Sequence, residues 1–139
     1  MDVALMNSNI TFALHIFFSG GGKGPQVAIL HPRQLSVYSI SKSPAKSKKS
    51  MDNFQIVLVY QHKLSRSAYS MCTGPFGGAH GKDFVCVQSI DGALNLFEAE
   101  SFSFSRFLPG FLLPGPVAYV SKTDSFVTVS SSYQLESYK

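Results

Sequence analysis

The residues best suited to nucleophilic or metal chemistry are four histidines and two cysteines: His15, His31, His62, His80, Cys72 and Cys86. A zinc site uses Cys or His pairs a few residues apart, and a Cys–His nucleophile needs a base oriented toward the thiol. These six residues are widely spread and match no such framework. Histidines scattered on strands and surface are the plainer reading, so no catalytic residue, metal ligand or cofactor site is assigned. Cys72 and Cys86 form no CxxC pair. They read as two small residues on or near strands of an intracellular chain with reduced thiols. One alternative stays open, a small secreted β domain closed by a Cys72–Cys86 disulfide.

Two glycine-rich stretches superficially resemble phosphate loops. A P-loop needs Gly, four residues, Gly-Lys and then Ser or Thr opening a helix. In Gly77-Gly78-Ala79-His80-Gly81-Lys82 the first Gly position is Phe76, the residue after Lys82 is Asp83, and a strand pattern comes next. Gly20-Gly21-Gly22-Lys23-Gly24-Pro25 fails in the same way. Both read as turns.

Two further sets are candidates for contact. Lys42, Lys46, Lys48 and Lys49 lie in one run without an acidic residue. Such a run could attract an anionic surface, at about 1 kcal/mol per Lys near a charged bilayer. It also fits a weak nuclear-import patch or a solvated insertion. Phe107, Leu108, Pro109, Phe111 and Leu112 form an apolar, proline-stiffened stretch. Exposed apolar surface of that kind is buried in a core or against a partner. The same two readings apply to the stripe Phe102, Phe104, Phe107, for which packing between neighbouring sheets is the expectation.

The elements that must hold these residues are strands. The chain has 139 residues, 45% hydrophobic and 14% charged, with a formal net charge of +4. That length gives one domain or part of one, and the low charge excludes a disordered tail or a coiled coil. Of 12 Lys and Arg, four belong to the Lys-rich run, and the remaining eight balance the 8 Asp and Glu. A nucleic-acid-binding face is therefore not expected. Ile10–Phe18 is apolar but too short for a bilayer, which takes about 20 residues. Only Asp2 is charged before His15, so the positive start of a signal peptide is lacking. A buried strand or an irregular start of the chain is expected there.

Val27–Leu30 and Leu35–Ile40 flank a His31–Gln34 turn. Residues 41–53 read as a Lys/Ser-rich loop, and Phe54–His62 resumes as a strand. Tyr69–Thr73 is a further short strand. Phe84–Ser89, an Asp91-Gly92 turn, Ala93–Glu98 and Ser101–Phe107 make a meander. Three prolines in residues 109–116 exclude a central strand or helix. Val117–Ser121, a Lys122-Thr123-Asp124 turn, Phe126–Ser130 and Tyr133–Tyr138 complete the set.

These sets repeat. Leu35…Tyr38, Leu94…Phe97 and Leu135…Tyr138 each place an aromatic three residues after a Leu, on the far side of an apolar strand and a turn. The Leu spacings are 59 and 41 residues. The shorter suits a β-propeller blade, a four-stranded antiparallel meander, and the longer suits one carrying the Lys-rich insertion. The fold class expected is all-β, a partial β-propeller of about two to three blades. Propellers need roughly four to eight blades to close, so the chain reads as a segment of something larger.

The stretch Gly77–Lys139, with its FLPGFLLPGP core, resembles the N-terminal propeller of the Bardet–Biedl syndrome 9 (parathyroid hormone-responsive osteosarcoma protein) family. VAILHPRQLSVYSIS and VYQHKLSRSAYSM upstream extend the resemblance over residues 13–139, leaving 1–12 as an atypical segment. The resemblance implies a non-enzymatic scaffold subunit of the BBSome, a coat-like complex that carries membrane proteins into and out of cilia and serves cilium assembly. It implies other BBSome subunits as partners, and indirect membrane association through the coat and an Arf-like small GTPase. It places the protein in the cytoplasm, cilium and ciliary membrane, and at the centrosome and centriolar satellites. No catalytic residues, small-molecule substrate or nucleic acid are carried over from it.

Overall fold

The structure, a computed structural model, describes residues 13–17, 24–42, 54–98, 101–108 and 115–139. Alternating apolar and polar residues drive the described residues into eleven strands arranged as three antiparallel meanders. The first sheet holds β1 (Ala13–Phe17), β2 (Gln26–His31), β3 (Gln34–Lys42) and β4 (Phe54–Lys63) in chain order. The second holds β5 (Ala68–Gly74), β6 (Phe84–Ser89), β7 (Ala93–Glu98) and β8 (Ser101–Phe107), also in order. The third holds β9 (Ala118–Val120), β10 (Ser125–Val129) and β11 (Leu135–Tyr138). Among the described residues no helix is long and apolar enough to cross a membrane.

This is a partial β-propeller: two four-stranded blades and three strands of another. The first strands β1, β5 and β9 lie next to one another, so the blades are packed side by side. The sequence repeat falls on the third strand of every blade: Leu35 and Tyr38 in β3, Leu94 and Phe97 in β7, Leu135 and Tyr138 in β11. Residues three apart in a strand point to opposite faces. The Leu faces the next blade and the aromatic faces the preceding one. Leu35 belongs to the core between the first two blades and Leu94 to the core between the second and third. Phe97 points back into the first core. Tyr138 stands opposite Phe126, which packs on the second core.

A bulge recurs at the same repeat position. The register slips between Val37 and Tyr38 against β4, and between Leu96 and Phe97 against β8. Both slips sit at the repeat aromatic and raise the twist of the outer strand.

The first core is built from Phe17, Ala28, Leu30, Leu35, Val37, Tyr60, Ala68, Met71, Val85, Val87 and Phe97. The second gathers Cys72, Phe76, Cys86, Leu94, Leu96 and Val117, with Phe84, Leu108, Tyr119 and Phe126 against it. The expected turns are present. Gly92 at φ 86° closes the β6–β7 hairpin by donating to Ser89 O at 2.9 Å. The last strand is shorter than the sequence pattern implies, because Tyr133 at φ 60° belongs to the turn before it.

Candidate interaction site

The structure corrects the expectation for the stripe Phe102, Phe104 and Phe107. All three are about half exposed, at 54%, 49% and 57%. They lie on β8, the outermost strand of the second blade, every residue of which is exposed. Strict alternation suggests one apolar face, but the register slip at Leu96/Phe97 sets Phe102 opposite Phe97 of the first core and Phe104 opposite Leu96 of the second, so the stripe is divided between two faces. Phe102 meets Phe97 edge-on at 5.6 Å, and the Arg66 guanidinium lies 5.2 Å above the Phe107 ring.

Of the proline-stiffened candidate, Phe107 is exposed and Leu108 packs half-buried against the second core. Pro109, Phe111 and Leu112 lie outside the described residues. Of the lysine candidate, Lys42 is exposed at the end of β3 with its Nζ 6.0 Å from the Phe54 ring centroid. Lys46, Lys48 and Lys49, the 41–53 loop from residue 43 onward and the 1–12 segment lie outside the described residues.

Cys72 and Cys86 are brought together. They face each other across β5 and β6, both buried and both free thiols. The disulfide of the alternative reading is thus not formed. Hydrogen bonding to Cys72, then burial, holds the Cys86 thiol well above its ordinary range, which makes it an inert thiol rather than a nucleophile. His15, half-buried on β1, has its pKa lowered by burial. Among the described residues no three His, Cys, Asp or Glu side chains converge as metal ligands. The Gly77–Gly81 stretch is a turn: Gly77, Gly78 and Gly81 adopt φ of 71°, 68° and 74°. Of the other glycine run, residues 20–23 lie outside the described residues.

That turn has a role the sequence did not disclose. Tyr119 on β9 donates its hydroxyl to Asp124 Oδ1 at 2.6 Å and lies 3.1 Å from Pro75 O. Gly77 N donates to the same Asp124 oxygen at 2.9 Å. The cluster ties the turn after β5 to the third blade. These bonds hold the Asp124 carboxyl below its ordinary range, Tyr119 first and the Gly77 amide second. Partial burial, and then the bond to Asp124, push the Tyr119 hydroxyl up to about 12. Tyr119 and Asp124 belong to the third blade, whereas Pro75 and Gly77 belong to the turn after β5, so no local motif signals their meeting. Phe76, Tyr119 and Phe126 pack beside the cluster with centroids 4.7–5.5 Å apart.

A second feature lies between the first two blades, at the rim. The end of β4, the loop to β5 and the outer strands of the second blade enclose a cleft of about 200 Å³. His62 stacks on Phe97 at 5.0 Å, and its Nε2 is buried with no hydrogen-bond partner. Asn95 is 9% exposed and donates to Val87 O at 3.3 Å. Arg66 pairs with Asp91 at the edge. The geometry can bind a side chain or a short segment.

Known proteins bear out the fold and the family. A family profile described as PTHB1 N-terminal matches residues 5–139. Protein PTHB1 of Xenopus laevis is 54% identical over 122 residues, and that of Homo sapiens 52% over the same length. The pthb1 homolog of Caenorhabditis elegans is 30% identical over 108 residues. The matches cover 88%, 88% and 77% of this chain but 14% of each relative, so the chain spans about a seventh of their length. Among solved structures, a chain of apo ctPRC2 in an autoinhibited state aligns over 100% of this chain and 30% of its own, with TM-score 0.69 and 9% identity. A chain of an active polycomb repressive complex 2 in the basal state aligns over 99% and 28%, with TM-score 0.64 and 9% identity. At that identity the likeness is one of fold alone, and it matches a propeller-like segment of a larger chain. The blade repeat, the two interblade cores and relatives at 52–54% identity agree, and the chain belongs to the PTHB1 N-terminal family.

Proposed function

We propose that this chain is a non-enzymatic, protein-binding scaffold segment of a BBSome subunit, acting in the traffic of membrane proteins through the cilium and in cilium assembly. The observation that carries the reading is membership of the PTHB1 N-terminal family over residues 5–139. The fold fits it. Side-by-side blades present exposed apolar residues on their outer strands, a surface suited to protein partners. The partners are the other subunits of that complex. Membrane is reached indirectly, through the assembled coat and an Arf-like small GTPase. Residence in the cytoplasm, the cilium and its membrane, the centrosome and centriolar satellites accords with that role. Phe107, Leu108 and Lys42 are the described members of the two contact sets, Phe107 and Lys42 exposed and Leu108 half-buried.

The test is a replacement. In the full-length Xenopus laevis relative, the matching segment is exchanged for this chain and expressed in ciliated cells that lack the relative. Co-purification of the other BBSome subunits and recovery of ciliary membrane cargo are expected. A stable, soluble hybrid that fails to enter the complex would overturn the reading.

A further inference from the structure

We propose that the rim cleft between the first and second blades binds an acidic, extended segment of a partner protein. Unlike the outer faces of the first and third sheets, this site has both walls in place. β4 and the β4–β5 loop form one wall, and β6, β7 and β8 form the other. The floor is aromatic, Phe97 buried and Phe102 half exposed. The polar groups on its walls are mostly donors or cations: His62, Lys63, Arg66 and the Asn95 amide. None of the described lining residues carries a carboxylate. Asp91 at the edge is already held by Arg66 and Ser89.

Two observations point to a ligand. The buried His62 Nε2 has no partner, and a buried polar atom is ordinarily satisfied. A second hollow of about 380 Å³, beside His31 and Arg33, shares Lys63 and Leu64 with the cleft. There His31 Nδ1 is likewise buried and unpartnered. The two neighbouring hollows share Lys63 and Leu64, and the first has an aromatic floor. Carboxylates of an extended peptide complement Lys63 and the imidazole nitrogens, while alternate apolar side chains reach Phe97 and Phe102. The cleft is formed by two blades of this chain alone, so its binding does not depend on the trafficking role.

The experiment measures fluorescence anisotropy of a labelled octapeptide, Glu-Phe-Glu-Ser-Glu-Phe-Glu-Ser, titrated with the 139-residue chain. The same peptide with Gln for Glu is the comparison. We expect saturable binding that weakens as salt rises. The Gln peptide should bind about tenfold more weakly, and Lys63→Glu should weaken the Glu peptide to a similar degree. Phe102→Ser should weaken it about fivefold through lost apolar contact. Both changes are at exposed positions and spare the cores. Lys122→Glu, in the β9–β10 turn, should leave binding unchanged. Equal binding of both peptides, no binding of either, or insensitivity to Lys63→Glu and Phe102→Ser would each overturn the proposal.

Discussion

A methyl group added to Gly74 would lie 2.4 Å from Tyr119 Cδ1 and 3.2 Å from Phe76 Cε1. Here the need for glycine is one of space, because the ring of the next blade presses on the end of β5. Gly74→Ala should cost about 1–3 kcal/mol by overpacking, read by urea unfolding. The cost should shrink in a Tyr119→Ala background, where the ring is gone. The hydroxyl of the same tyrosine governs pH behaviour. The folded Tyr119 titrates at about 12, above its ordinary value of 10. Stability from this group is therefore complete below pH 10 and lost as pH rises toward 12. Asp124 is shifted the other way: its contribution is present above the ordinary carboxylate range and is lost as pH falls through its lowered folded value. Tyr119→Phe should flatten both slopes in thermal melts taken across pH, with the neutral plateau reduced. Unchanged slopes would show that the cluster is not formed in solution.

At the scale of elements, burial of the repeat leucine depends on whether another blade packs beyond its own. Leu35 is 0% exposed, Leu94 2% and Leu135 76%, although all three hold the same place on a third strand. Leu35→Ala and Leu94→Ala should each cost about 2–5 kcal/mol, whereas Leu135→Ala should stay within about 0.5 kcal/mol in chemical denaturation of this chain. Equal penalties at all three would contradict the blade order. The same contrast marks how much of the fold was legible in the sequence. Period-two alternation and the Leu…aromatic spacing located the strands and the repeat, because both are properties of one strand's own neighbours. Whether a legible apolar face is covered depends on the adjoining sheet, so Ser101–Phe107 looked like core and is rim. The two candidate sites were invisible for a related reason. Asp124 with Gly77, and His62 with Phe97, meet only because blades pack side by side. Of the described contact candidates that the sequence singled out, Phe107 and Lys42 are at the surface, whereas Leu108 packs half-buried against the second core.

For the whole molecule, the decisive contrast is between its two inner cores and its outer faces. Ile16 is 65% exposed on β1 and shares a face with Val27, Tyr38 and Leu58 through the register of the first sheet. Ile56, at 57% exposed, continues that face beside Ile40. A contiguous apolar face of this kind is larger than a solitary soluble domain usually leaves open. The chain by itself should therefore bind a hydrophobic dye such as ANS in native buffer, and should associate as concentration rises. Converting Ile16, Ile56 and Leu58 together to Ser should remove most of the dye signal. It should leave the unfolding midpoint nearly unchanged, because none of the three contributes to either core. Loss of cooperative unfolding in that triple variant would mean instead that the face is already covered in solution. Dye binding that persists would place the exposed apolar surface elsewhere, on β8 or on the third sheet. The triple variant thus separates a surface waiting for a further sheet from one that the chain has already satisfied.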